Sequence, residues 1–332
     1  MKKSRKSDLD CFRRNVKVKY LVTGGAGFIG SNLTNVLVEK GHEVVIIDDL
    51  SMGKIENLNT LNQVTFIEGS ITDQAVMTKI FEMNQFDYIF HLAAVASVAD
   101  SVERPVETHQ VNYEAVLNIL DQIRKTQKQL KRFVFASSAA VYGDDPELPK
   151  KETSPIKPMT QYAVDKFAAE RTAINFSDLY NVPASAVRFF NVYGPNQNPE
   201  SPYSGVISIL IDRYQKKING EDASFTLFGD GSQLRDFIYI SDVVKALLIV
   251  AESDLSLGNV YNIGTENEKD LNSIIRELNT IYSINLDIVH ESERKGDIRR
   301  SVADISKLKS LGFQSEYTIS TGLSKLVNFM RG

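Results

Sequence analysis

Cys11 is the only cysteine in 332 residues, so no internal disulfide can form and a reducing compartment suits the chain. Four histidines are present, His42, His91, His109 and His290, and none stands at the spacing that lets side chains share a metal, so no metal is expected. No apolar run approaches the ~20 residues a membrane-spanning helix needs. Nor is there an excess of positive charge. The formal net charge is −4, which removes the broad basic field of a nucleic-acid binder. Internal repeats and low-complexity tracts are missing too. What remains is 42% hydrophobic and 24% charged, the balance of an ordinary soluble globular protein of one large or two intimately joined domains. The cytoplasm is its expected location.

The first fifteen residues stand apart. Lys2, Lys3, Arg5, Lys6, Arg13 and Arg14 crowd a segment with little apolar content. It lacks the apolar core of a secretory signal and reads as a solvated leader, with a membrane-surface or partner contact as the alternative.

Beyond the leader, two periods alternate. Short β-rich runs occupy Val18–Thr23, Val44–Asp48, Val64–Glu68, Tyr88–Leu92 and Phe133–Ala136. Between them Ile29, Leu33, Val36 and Leu37, and again Val116, Ile119, Leu120 and Ile123, fall on one helical face. Strands that alternate with helices predict a doubly wound parallel sheet, and near-continuous apolar strands predict burial of both its faces. After about residue 190, Pro195, Pro199, Pro202, Gly220, Gly229 and Gly231 break the rhythm. Strands at Phe237–Ile240 and Val260–Ile263 flank a predicted helix from Ser241 to about Ser253. These patterns set a doubly wound domain, 16–187 with about 235–263 returning to it, apart from a smaller interleaved C-terminal region, 188–234 and 264–332.

The strongest local signal is Thr23-Gly24-Gly25-Ala26-Gly27-Phe28-Ile29-Gly30, which follows a strand and opens a helix. Glycine there permits tight-turn dihedrals and close backbone approach to a pyrophosphate, and the helix start offers N–H groups to phosphate. Asp48 ends the second strand, 18 positions beyond Gly30. A carboxylate at that point accepts ribose hydroxyls and repels a 2′-phosphate, which favours NAD over NADP. Ser51 and Lys54 lie close enough to hold such a phosphate, so NADP stays open as the alternative.

Tyr162 and Lys166 share one helical face in Tyr-Ala-Val-Asp-Lys. A phenol with a free pKa near ~10 is a poor base, but an adjacent ammonium and a cationic nicotinamide stabilise its phenolate. Ser138 ends the fifth strand, where sheets of this kind bind ligands, and it can hydrogen-bond a substrate oxygen that loses its proton.

Together these residues resemble the extended branch of the short-chain dehydrogenase/reductase family over about residues 16–330. Further motifs narrow the likeness to the UDP-sugar 4-epimerases: His91-Leu92-Ala93-Ala94, Ser137-Ser138-Ala139-Ala140-Val141-Tyr142-Gly143, Arg188-Phe189-Phe190-Asn191-Val192-Tyr193-Gly194-Pro195, Leu234-Arg235-Asp236-Phe237-Ile238-Tyr239 and Arg294-Lys295-Gly296-Asp297. The resemblance implies a catalytic Ser138, Tyr162 and Lys166. It implies an NAD site formed by Gly24, Gly27, Phe28, Ile29, Gly30, Asp48, Asp49, Leu50, Ser51, Gly53, Ser70, Ile71, Leu92, Ala93, Ala94, Asn112, Tyr162, Lys166 and Phe190. It also implies a UDP-sugar site formed by Ser97, Ser138, Tyr162, Asn191, Val206, Phe228, Arg235, Arg294, Asp297 and Ser301, in a homodimer joined near residues 105–125 and 160–180. An arginine fork suits a diphosphate.

Departures sharpen the reading. Related 4,6-dehydratases carry Thr-Asp-Glu where this chain has Ser138-Ala139-Ala140, so water elimination lacks its proton carriers. Enzymes that handle uronic sugars place Glu or Thr where this chain has Ala140 and Asn191. Ser70 stands where relatives often have Asp. Val95-Ala96-Ser97-Val98 resembles the branch that handles N-acetylated sugars, and Ser301 leaves room where a bulky aromatic restricts the pocket. The expected activity is UDP-N-acetylglucosamine/UDP-N-acetylgalactosamine 4-epimerisation, with the non-acetylated pair as further substrates. The alternatives are a strict UDP-glucose 4-epimerase, a nucleotide-sugar dehydrogenase or reductase, and a non-enzymatic NAD sensor.

Overall fold

A computed structural model describes residues 17–59, 61–199, 205–293 and 298–331. The basic leader lies outside the described residues, as do Arg294 and Asp297.

The first half of the chain alternates as its pattern requires: β1 (Lys19–Thr23), α1 (Phe28–Glu39), β2 (Glu43–Asp48), β3 (Val64–Glu68), α2 (Gln74–Met83), β4 (Tyr88–His91), α3 (Val98–Glu103), α4 (Pro105–His109), α5 (Ala115–Thr126), β5 (Arg132–Ser138), α6 (Gln161–Tyr180) and β6 (Ala184–Phe189). The second half adds β7 (Asn191–Tyr193), α7 (Val206–Ile218), β8 (Ser224–Phe228), β9 (Leu234–Tyr239), α8 (Ile240–Glu252), β10 (Val260–Ile263), β11 (Glu268–Asp270), α9 (Leu271–Tyr282), β12 (Asp287–Glu291), β13 (Arg300–Ser301), α10 (Ser306–Lys309) and α11 (Ile319–Arg331).

Seven strands form one sheet in the order β10-β6-β5-β4-β1-β2-β3, and every neighbouring pair is parallel. This is the expected doubly wound sheet. Its order reverses between β1 and β4, and the carboxyl edge at such a reversal is where sheets of this kind bind ligands. Alternate strand residues feed two apolar layers. Leu21, Val45, Ile89 and Phe133 pack with α2, α5 and α6 residues such as Phe81, Ile119 and Ala169. Tyr20, Val22, Ile46, Phe90 and Val134 pack on the other face with Leu33 and Leu37 of α1 and Val243 and Leu247 of α8. That second layer runs on without a break into the C-terminal lobe, through Tyr214, Leu227, Ile274, Leu278 and Leu326.

The stretch 235–263 divides its allegiance. α8 packs on α1 and β5 and β10 extends the large sheet beside β6. β9 instead centres a small sheet, flanked by β11 antiparallel and by β13 and β7 in parallel. A separate parallel pair, β8 and β12, completes the lobe.

β6 escapes the sequence pattern because two of its residues are polar. Ser185 and Arg188 are both buried, and both are satisfied. Ser185 Oγ donates to the Ser256 carbonyl at 2.6 Å. Arg188 donates from Nη2 and Nε to the two oxygens of the fully buried Glu170, at 2.6 and 2.8 Å, which locks α6 onto β6. The same guanidinium donates to the Tyr142 hydroxyl at 2.8 Å, and that hydroxyl donates to Asn262 Oδ1 at 2.6 Å. Breaking a buried ion pair strands the surviving charge. Glu170→Gln should therefore lower the free energy of unfolding by about 3–5 kcal/mol, read as an earlier midpoint in urea. An unchanged midpoint would show that the pair does not support the fold.

Candidate active site

A parallel sheet brings the ends of distant strands to one edge, and that edge collects the expected residues. The glycine loop follows β1, Asp48 ends β2, Leu92, Ala93 and Ala94 follow β4, Ser138 ends β5 and Phe190 follows β6. Tyr162 and Lys166 occupy the first turns of α6, which Thr160 starts by accepting the Ala163 N–H.

The glycine loop is tight because backbone meets backbone. Gly24 has φ +69°, and a Cβ there would fall 2.8 Å from the Ala93 nitrogen. A Cβ on Gly30 would fall 2.0 Å from the Gly24 oxygen, so only glycine lets α1 start this close to its own loop. At Gly27 a Cβ would meet nothing closer than the Gly24 oxygen at 3.3 Å. No side chain caps α1, which leaves its first N–H groups to a ligand, the arrangement that accepts a pyrophosphate.

Asp48 is buried and accepts the Ala26 N–H on Oδ2 and the Leu50 N–H on Oδ1, both at 2.9 Å. Burial raises its pKa, and the backbone N–H groups of Leu50, Ala26 and Gly27 oppose that rise. The carboxylate thus braces the glycine loop and still has lone pairs for ribose hydroxyls. Leu50 holds φ +57° in the turn beyond it. Asp49 is exposed and accepts from Ser51, through Ser51 N at 3.0 Å and Ser51 Oγ at 2.5 Å. Gly53 lies against Asp48, where a Cβ would sit 2.7 Å from Oδ1. Ser70 pairs with the Thr72 hydroxyl at 2.8 Å, and Ile71 is buried. Asn112 sits in a π-helical turn, Gln110–Glu114, and pins the loop that follows Ala94: its Oδ1 accepts the Val95 N–H at 2.9 Å and its Nδ2 donates to the Val95 carbonyl at 3.0 Å.

The reactive groups meet in a dry corner. Lys166 is buried, and its Nζ donates to the Ala136 carbonyl at 2.9 Å, 6.0 Å from the centroid of the Tyr162 ring. Burial brings its pKa down to about 8, against the upward pull of Asp165. Burial raises the Tyr162 phenol, and a hydrogen bond with Ser138 draws it back down. Ser138 Oγ also accepts the Ala140 N–H at 3.2 Å, at the start of a 3-10 turn, Ala139–Tyr142, that carries no acid. A serine, a phenol and an ammonium so placed can share one proton with a substrate oxygen.

Two contributors were not visible as functional residues in the sequence. Thr23 Oγ1 accepts the N–H groups of Leu92 and Ala93, each at 3.2 Å, and lies 3.0 Å from His91 Nδ1. It therefore ties the β1 and β4 loops together across the crevice. His91 is buried under Phe133 and Phe135, and burial followed by the Lys166 charge lowers its pKa to about 3, which keeps it neutral. The other contributor is Asp236, which accepts hydrogen bonds from Thr265, Glu266 and Ala303. The motif Leu234-Arg235-Asp236 was its only signal.

The expected substrate residues on the small lobe fall into two groups. Asn191 (β7), Arg235 (β9) and Ser301 (β13) share one sheet: Asn191 Nδ2 donates to the Asp236 carbonyl at 3.2 Å, and Ser301 stands in register with Arg235. Phe228 ends β8 beside a cavity that Glu293 and Arg299 also line. Val206 opens α7, and Ser97 caps α3 by accepting the Asp100 N–H at 2.8 Å. Among the described residues no group of His, Cys, Asp and Glu is placed to hold a metal ion, and no helix is long and apolar enough to cross a membrane.

Both the sequence and the fold have known relatives. Residues 20–264 match the model of the NAD dependent epimerase/dehydratase family. A putative UDP-glucose 4-epimerase of Methanocaldococcus jannaschii is 35% identical, over 94% of this chain and 98% of its own. The solved UDP-N-acetylglucosamine 4-epimerase of Methanobrevibacter ruminantium, in complex with UDP-N-acetylmuramic acid, superposes with a TM-score of 0.88 at 37% identity, covering 95% of this chain and 98% of that one. The Thermus thermophilus UDP-glucose 4-epimerase, in complex with NAD, superposes with a TM-score of 0.86 at 32% identity, covering 95% and 99%. The chain belongs to the NAD dependent epimerase/dehydratase family, in its extended short-chain dehydrogenase/reductase branch, and NAD is its cofactor.

Proposed function

We propose that this protein is a UDP-sugar 4-epimerase that interconverts UDP-N-acetylglucosamine and UDP-N-acetylgalactosamine and also accepts UDP-glucose and UDP-galactose. The observation that carries the proposal is the convergence of Ser138, Tyr162 and Lys166 in one buried corner at the carboxyl edge that also carries the glycine loop. Gly24, Gly27, Phe28, Ile29, Gly30 and Asp48 would hold NAD, which when bound would supply a reversible hydride acceptor for sugar carbon 4. Tyr162 accepts the proton of the sugar 4-hydroxyl, Ser138 holds that oxygen, and Lys166 favours the phenolate by its charge. After the 4-keto sugar turns in the site, Tyr162 returns the proton at the same atom. Arg235, with Arg294, neutralises the diphosphate, and Asn191 and Ser301 line the sugar side. Asp49, Leu50, Ser51, Gly53, Ser70, Ile71 and Phe190 complete the adenosine and nicotinamide contacts, while Ser97, Val206, Phe228 and Asp297 border the UDP-sugar.

The turn after Ser138 supports epimerisation over dehydration, because Ala139 and Ala140 offer no group to carry water away. The acetylated pair is favoured by Ser301, a small half-buried side chain opposite Arg235, and by the likeness to an N-acetylglucosamine epimerase. The second reading, a strict UDP-glucose 4-epimerase, rests on the M. jannaschii relative. We also propose a homodimer through the helices near residues 105–125 and 160–180, where Val106 is 66% and Leu179 is 69% exposed; Leu117, Val164 and Tyr180 extend this apolar face.

Three outcomes follow. Purified protein incubated with each UDP-sugar, with products separated chromatographically, should form the 4-epimer of both pairs without NADH absorbance growing in proportion. Stoichiometric NADH would support a dehydrogenase, and no turnover at all a sensor. Tyr162→Phe should lose roughly 10²-fold or more in kcat while retaining NAD, and near-normal turnover would remove Tyr162 from its role. Ser301→Tyr should depress turnover of the acetylated pair selectively, by about ten- to a hundredfold, the equivalent of ~1–3 kcal/mol of overpacking. Equal losses for both pairs, or none for either, would show that Ser301 is not a size gate.

A further inference from the structure

Asp236 follows Arg235 on β9 and is fully buried, yet no step above uses its carboxylate. Its Oδ1 accepts the Thr265 N–H at 2.8 Å and the Thr265 hydroxyl at 2.6 Å. Its Oδ2 accepts the Glu266 N–H at 3.0 Å and the Ala303 N–H at 3.1 Å. One side chain therefore holds two segments, the loop between β10 and β11 and the strand beyond Ser301, which lie 29 to 67 positions away in sequence. Its own carbonyl accepts Asn191 Nδ2. The fit is close: a Cβ on Gly264 would fall 2.7 Å from Asp236 Oδ2.

The Ala303 contact carries the arrangement further. Lys150 pairs with the same segment, its N–H donating to the Val302 carbonyl at 2.9 Å and its carbonyl accepting the Asp304 N–H at 2.8 Å. Lys150 Nζ in turn holds Asp145 at 2.7 Å, a few residues beyond the turn that Ser138 opens. The wall that carries Asn191, Arg235 and Ser301 is thus tied through Ala303 to the segment that follows the proton-transfer serine.

We propose that Asp236 is a positioning residue for the nucleotide end of the substrate: its carboxylate clamps residues 265–266 and 302–303 onto β9, and so fixes Asn191, Arg235 and Ser301 as one wall facing the UDP-sugar. The inference deepens the UDP-sugar reading and rests on it. Asparagine keeps the shape but turns one acceptor oxygen into a donor. With the amide nitrogen toward Glu266 and Ala303 two N–H donors face another donor; turned the other way the Thr265 N–H does, while the Thr265 hydroxyl can rotate to accept, and buried donors left unpaired are costly.

The test is UDP binding to the NAD-loaded protein by calorimetry, together with kcat and KM for the UDP-sugar. Asp236→Asn should weaken UDP by about tenfold or more and raise KM in parallel, with retained NAD unchanged and kcat less affected. Thr265→Val, which removes the hydroxyl's bond to Asp236 and its longer contacts with Asn267 but leaves the Thr265 N–H bond, should act in the same direction and more weakly. Unchanged UDP affinity in Asp236→Asn, or loss of NAD retention and kcat in step with UDP affinity, would overturn the positioning role. If Asp236→Asn does not fold, Thr265→Val decides: weaker UDP with intact NAD supports the role, and unchanged UDP affinity overturns it. A wild-type protein that binds no UDP would overturn the substrate reading and this role with it, whereas tight wild-type binding left unaltered by both variants would overturn this role alone.

Discussion

The site depends on a contact in which no side chain takes part. Backbone of the β1 loop lies against backbone of the β4 loop at Gly24 and Ala93, and the start of α1 lies against Gly24 itself at Gly30. With no Cβ at either glycine, the helix terminus reaches the crevice at the point where the strand order reverses. Thr23 holds the two loops together by accepting the N–H groups of Leu92 and Ala93. Asp48 braces the same loop from the β2 side through Ala26. A larger residue at Gly24 or Gly30 would push these pieces apart.

The second organising feature is the management of charge in a dry place. Lys166 has little water around it, and burial draws its pKa down to about 8. Tyr162 is driven the other way, toward the neutral phenol. Both shifts are desolvation effects that disfavour the ionic forms. A phenolate beside an ammonium loses part of that penalty, and this is the basis of the proton-transfer role proposed for Tyr162. His91, beneath them, stays neutral and adds no competing charge. Away from the site, Arg188 and Glu170 solve the same problem by pairing with each other.

Much of this was legible in the sequence. The strands at Val64–Glu68 and Val260–Ile263 fall where their apolar runs predict, and β1, β2, β4 and β5 differ from prediction only at their ends. Alternation alone places Gly24, Asp48, Ser138 and Tyr162 on one edge, because a parallel sheet leaves no other choice. β6 was hidden because Ser185 and Arg188 interrupt its apolar run, and their partners, Ser256 and Glu170, are remote in sequence. The small sheet was hidden because its strands are short and join distant segments, as β13 joins β9. Asp236 was hidden for the same reason. A carboxylate that gathers backbone N–H groups from three later positions reads in sequence as one more charge beside an arginine.

The central claim is that the hydrogen on sugar carbon 4 leaves and returns within one closed site, with Tyr162 handling the proton of the attached oxygen. The most direct measurement uses UDP-N-acetylglucosamine deuterated at carbon 4, turned over in ordinary water as a mixture with unlabelled UDP-glucose. The account predicts UDP-N-acetylgalactosamine that keeps its deuterium at carbon 4 and UDP-galactose that acquires none. Loss of the label to water, or its appearance in the other sugar, would contradict it.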